Sequence, residues 1–181
     1  MMTPTPSPCP PLSDADWPEA IADLREGFAG ALNVYRTMAH HPALLRAWAP
    51  LRQHVVKDSA LGGERSEVVI LRAAHRMGSG YEWAQHVSRA RALGFSDARI
   101  AALRGDPVGE DGLIARAVDS LFDQHCLPAG QEAELAAAIG RPAVMDLMAT
   151  VGFYSVLGFL LMTYATPLDA DVAAQMQAQP L

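Results

Sequence analysis

The stretch from Glu67 to His86, EVVILRAAHRMGSGYEWAQH, gathers side chains able to move a proton. Ser79, Glu82 and His86 stand three, four and seven residues apart. That spacing sets a hydroxyl, a carboxylate and an imidazole along one face of an α-helix. A Glu and a His one turn apart can hydrogen-bond, which orients the ring and favours its charged form. Proton transfer to or from a bound small molecule needs such an arrangement. Glu82 falls in about the first helical turn, where the helix dipole favours an ionised carboxylate. The face carries no thiol. Taken alone, an i,i+4 Glu–His pair is also common on solvated helix faces. Ser79 is equally natural as a cap, and Tyr81 and Trp83 as core or interface residues.

The elements that must hold these groups are helical. Apolar residues Ile21, Leu24, Phe28, Leu32 and Tyr35 recur at intervals of three and four, predicting a helix from Trp17 to Met38 that Gly27 and Gly30 weaken or divide. Pro42 opens another helix, and Pro50 and Gly62-Gly63 punctuate the chain beyond it. Glu64–Met77 is a strong helix closed by Gly78-Ser79-Gly80, and Tyr81–Leu93 is the next, stopped by Gly94. Ser96 is placed to cap a short helix over Asp97–Leu103. Gly105–Gly112 reads as a loop, Leu113–Phe122 and Gln131–Ile139 as helices, and Pro142 opens a long apolar helix to about Tyr164. Pro167 ends it, and the last residues read as a frayed turn. No strand pattern or repeat is visible. The expectation is an all-α, single-domain helical bundle over residues 19–181, with a central helical hairpin and a long buried apolar helix. Residues 1–18, with six of the thirteen prolines, form a tail or a clamp on a neighbour.

Composition narrows the function classes. A formal net charge of −6 and no basic stripe argue against nucleic acid as a partner. Cys9 and Cys126 lie 117 residues apart, without metal-ligand or redox-motif spacing, which fits a reduced, cytoplasmic protein. The N-terminus lacks the basic and apolar regions of a secretory signal. Leu147–Ala165 runs 19 residues without a charge, but its Thr, Tyr and Ser residues and the absence of flanking Lys or Arg clusters favour a buried helix over a membrane span. An apolar fraction of 50% calls for more cover than one chain of this size readily provides, so a homo-oligomer is expected.

The run Glu67, Ser79-Gly80-Tyr81-Glu82 and His86 resembles the signature of the carboxymuconolactone decarboxylase and alkyl hydroperoxidase D superfamily. The peroxidase branch has a glutamate, eleven residues, Cys, two residues, Cys, three residues, His. The spacing is kept here, with Ser79 and Glu82 in place of the two cysteines. Asn33–Pro42, Gly94–Asp97 and Val151–Tyr154 extend the resemblance over roughly residues 30–165. It implies a bundle of the alkyl hydroperoxidase D-like type, often assembled as trimers or hexamers. Dithiol peroxidase chemistry needs an attacking thiolate and a resolving thiol, and serine and glutamate supply neither. The decarboxylase branch instead implies a lyase or isomerase of aromatic catabolism, without cofactor or required metal, acting by proton transfer on a small carboxylate or lactone. In that reading His86 is the general acid or base, Glu82 orients it or shares its proton, and Glu67 completes a relay. Ser79, Tyr154 and Arg76 (or Arg72) contact substrate. Glu67, Glu82, His86 and the His40-His41 pair are the only metal-ligand set worth weighing, and no metal is expected. The alternatives are a non-catalytic binding or assembly member of the family and, less favoured, a peroxidase-related activity through Cys126.

Overall fold

Glycine and proline mark several of the places where the backbone leaves the helical region, although His125 and Ala165 adopt positive φ without being glycine. In the computed structural model, which describes residues 7–181, every regular element is helical. The stretch expected as one helix from Trp17 is cut into a short turn at Glu19–Ile21, α1 (Ala22–Arg25), α2 (Phe28–Ala31) and α3 (Asn33–Met38). Leu32 is extended there, and at Gly30 a Cβ would stand 2.0 Å from the Arg25 carbonyl oxygen, an approach that only glycine permits. α4 (Pro42–Gln53) is capped by His41, whose Nδ1 accepts the Leu44 N–H at 3.4 Å. Pro50 lies inside α4 and does not end it; a single π-helical turn over His54–Asp58 comes next.

The central hairpin is α5 (Gly62–Met77) and α6 (Gly80–Ala92), and it takes the predicted form. Gly78 adopts φ +68°, so the amides of Gly78 and Ser79 turn back onto the carbonyls of His75 and Ala74. Ser79 then caps α6 at once. α7 (Asp97–Ala102) is capped by Ser96 as expected. α8 (Gly109–Gln124) starts within the stretch expected as loop, with Glu110 and Asp111 in its first turn. α9 (Ala129–Ile139) and α10 (Arg141–Thr163) come after it. The terminal residues are not frayed: α11 (Ala170–Ala178) buries Val172 and packs on α6.

α5 lies at the centre, packed against α6, α8 and α10. Two apolar clusters meet along it. One joins Val68 and Leu71 of α5 to Val87, Ile114, Val118 and Leu147. The other joins Ile70 to Tyr35, Met38, Trp48, Phe153 and Leu157. Among the described residues α10 is the helix long and apolar enough to cross a membrane, and half of its most apolar stretch is buried in this domain. Its partners are α5, α8, α9 and α3, which makes it a core helix.

Of the proline-rich tail, residues 1–6 lie outside the described residues. The remainder is laid along α3: Arg36 donates to the Leu12 carbonyl at 2.7 Å and to Asp14, and His40 Nε2 donates to the Pro10 carbonyl at 2.7 Å.

Candidate active site

Glu67 projects from α5 between Val68 of one apolar cluster and the turn leading to Ile70 of the other; Glu82 and His86 project from α6 between Tyr81 and Val87. Three ionisable groups thus meet at the seam of two apolar bodies. His86 is 2% exposed, Glu82 4% and Glu67 8%. The His86 Nδ1–H donates to Glu67 Oε2 at 2.6 Å, which leaves Nε2 directed at Glu82 Oε2, 3.6 Å away. That second separation is just beyond hydrogen-bond length, and Glu82 Oε1 is buried with no partner. The Tyr154 ring from α10 stands edge-on to the imidazole, centroids 5.0 Å apart.

Burial dominates the electrostatics. It pushes the Glu82 carboxyl up to about 7, helped by Glu67 and opposed by His86 and Arg89. A carboxyl poised there can give or take a proton near neutrality. Burial likewise raises Tyr35 to about 12 and carries Tyr154 well above the usual phenol range, so both rings stay neutral.

Two cavities serve the trio. An inner one of about 20 Å³, room for about one water, is lined by Glu82, His86, Tyr35, Tyr154 and Arg89 among others. An outer one of about 90 Å³ is bounded by the π-helical turn and the start of α5, with Glu67, Lys57, Arg89 and Tyr154 in its wall. Arg89 and Tyr154 belong to both.

The structure therefore brings Glu67, Glu82, His86 and Tyr154 together. Ser79 does not join them. Its Oγ accepts the Glu82 N–H at 3.5 Å as the cap of α6, and it faces a separate open cleft with His75, Trp83 and Arg104. Arg76 is also placed elsewhere: its guanidinium pairs with Asp119 at 2.9 Å and with Asp123, and Arg72 is held by Asp119 in the same way. Those arginines clamp α5 to α8, so the expectation that either supplies countercharge at the site is corrected. The charge there is Arg89, a residue outside the set expected from the sequence. It continues the stripe of Glu82 and His86 by three residues, a signal available in the spacing. Of the remaining candidates, His40 holds the tail and His41 caps α4. Cys126 is exposed and lines neither cavity. Among the described residues no group of three or more His, Cys, Asp or Glu side chains is arranged to hold a metal ion.

The carboxymuconolactone decarboxylase family's sequence model matches residues 42–121, a span that includes Glu67, Ser79, Glu82 and His86. No curated protein matches the chain at significant similarity. Among solved structures, the debrominase Bmp8 with a cysteine-to-alanine substitution, in complex with 2,3,4-tribromopyrrole, is similar at a TM-score of 0.75 and 16% identity, covering 95% of this chain and 97% of that one. Apo Bmp8 gives 0.73 at 16% identity, over 92% and 95% of the two chains. An Agrobacterium tumefaciens protein of unknown function, suggested to be the antioxidant defence protein AhpD, gives 0.63 at 16% identity, over 72% and 94%. At such identity the likeness is one of fold. Residues 42–121 are thus similar to the carboxymuconolactone decarboxylase family, and the chain has an AhpD-like all-α fold.

Proposed function

We propose that this protein is a cofactor-independent lyase or isomerase that transfers a proton to a small carboxylate or lactone bound beside Glu82 and His86. The observation that carries the reading is the buried line Glu67–His86–Glu82, ending on an unpartnered carboxylate oxygen in a cavity. In a decarboxylation, the bond to the leaving carbon dioxide breaks and its electron pair stays on the substrate carbon. The proton of neutral Glu82 goes to that carbon. His86 takes a proton from water at Nε2, passing through an imidazolium that Glu67 balances, and becomes neutral again as it hands that proton to the Glu82 carboxylate; Glu67 also keeps the ring aimed. Glu82, neutral below about pH 7, is the donor, and activity should fall as pH rises through that value.

The test is a screen of lactone acids for carbon dioxide release by wild type, Glu82→Gln and His86→Ala. Loss of about 100-fold or more in both variants is expected; equal rates in all three would remove these residues from the mechanism. With a dithiol reductant, the wild type should consume no peroxide through this site. One observation favours a second reading. The inner cavity as it stands admits about a water and nothing larger, which suits a family member that keeps the fold for binding or assembly. The absence of turnover on every acid, with the outer cavity intact, would select it.

A further inference from the structure

We propose that Arg89 anchors the anionic head of a small organic acid in the outer cavity, and that cancelling its charge there draws a proton onto the Glu82–His86 pair. The inference rests on the acid–base function proposed for this site and narrows it to substrates that are ionised when they bind.

The first observation is a difference among arginines. Arg72 and Arg76 are bound to Asp119, Arg91 to Asp97, Arg99 to Asp111 and Glu64, and Arg65 to Glu110. Arg52 and Arg104 also lack an ion pair but lie over the rings of Phe28 and Trp83; Arg89 is half-buried and, among the described residues, has no ion pair, no side-chain hydrogen bond and no aromatic face. Holding a guanidinium away from bulk water without a carboxylate partner is costly unless something else pairs with it. The second observation is position. Arg89 stands in the wall shared by the two cavities, so a bound anion's head would lie in the outer chamber with its reacting carbon turned toward Glu82 and His86. Lys57 adds a second positive charge to that chamber, and its one acid, Glu67, is already engaged by His86. A volume of about 90 Å³ limits the ligand to an acid of few heavy atoms.

The third observation is electrostatic. The groups that act on Glu82 are His86 and Arg89 from its own helix and Glu67 from α5, with the neutral phenols of Tyr35 from α3 and Tyr154 from α10 beside it. Arg89 draws Glu82 toward its charged form, and burial opposes this. An anion seated on Arg89 cancels the pull and leaves burial unopposed. Glu82 then takes up a proton as the acid arrives, and the proton donor is made by the molecule that needs it.

Calorimetric titration at pH 7.5 with butyrate and its uncharged counterpart butyramide, in HEPES and in Tris, reads both affinity and proton uptake. Butyrate should bind about tenfold or more tighter than butyramide, with net uptake of part of a proton. Arg89→Gln should weaken butyrate about ten- to a hundredfold, and Arg89→Lys should recover part of that. Glu82→Gln should still bind butyrate but take up no proton. Equal affinity for butyrate and butyramide, full affinity in Arg89→Gln, no butyrate binding by wild type, or binding without proton uptake would overturn the proposal. Butyrate binding with uptake, but no decarboxylation of any acid screened, would leave the anchor standing and remove the lyase reading. Turnover of acids by a protein whose Arg89→Gln variant keeps full affinity would do the reverse.

Discussion

Glu82 is a side chain that the fold tolerates at a cost. A glutamate titrates near 4.5 in the unfolded chain and near 7 here, because burial penalises its charge. Between those values the native state holds a proton that the unfolded state has lost. Glu82's contribution to stability is therefore fully present below about pH 4.5 and is lost as pH rises through 7. The difference of 7 against 4.5 corresponds to about 3 kcal/mol. Denaturant titrations of wild type and Glu82→Gln should show the variant gaining on wild type from pH 5 to pH 8 by up to that amount. A constant gap between them would mean that Glu82 meets no desolvation cost. Glu67, Glu82 and His86 are legible from spacing and from the family resemblance, because a helical repeat of 3.6 residues fixes which side chains share a face. Arg89 is equally legible by that rule. The countercharge expected on α5 is absent from the site because the facing of Arg72 and Arg76 is decided by Asp119 and Asp123, more than forty residues away. Sequence spacing carries no information about such a partner.

At the scale of elements, the junction of α5 and α6 fixes the site. Gly78 reverses the chain in the left-handed region and Ser79 restarts it within one residue, so the hairpin is short and the Glu67–His86 distance is set. Ser79→Ala should cost about 1 kcal/mol as a lost cap in thermal or denaturant unfolding, while Michaelis constants for any acid turned over stay near wild type. A rise in those constants without loss of stability would return Ser79 to the substrate. Helices with glycine, proline or serine punctuation, such as α5, α6, α7 and α10, have boundaries close to those expected from the residues. The start of α8 is hidden because Gly109 and Gly112 imitate a loop. Gly112 is instead a packing requirement, since a Cβ there would stand 2.4 Å from the Pro107 carbonyl oxygen. α11 leaves little mark in the sequence because its stability comes from tertiary contact. Asp169 at its start accepts from Tyr81 and Gln85 of α6 and from the Asn33 amide.

At the scale of the whole molecule, the outer side of α10 is unfinished. Met145 and Phe159 are 64% and 61% exposed, and Met148, Val156 and Met162 continue the apolar stripe between and beyond them. Such a contiguous face invites cover, and a second copy of this chain is the expected one. Light scattering on wild type should give a mass above the 19.4 kDa of one chain, and Phe159→Lys should lower it toward that value. A wild type that runs as a single chain would set the expectation aside.

Asp146, next in sequence to Met145, reaches away from that stripe to accept from His54 at 2.7 Å, from Ser59 and from the Ala60 amide at 2.6 Å. The turn it pins is the one that walls the outer chamber. The doorway to the chamber thus hangs from the same beam that a neighbour would grip, and tightening one end should steady the other. Amide hydrogens in residues 54–60 should exchange more slowly as protein concentration climbs through the range where copies pair, and should be indifferent to concentration once Phe159 is lysine.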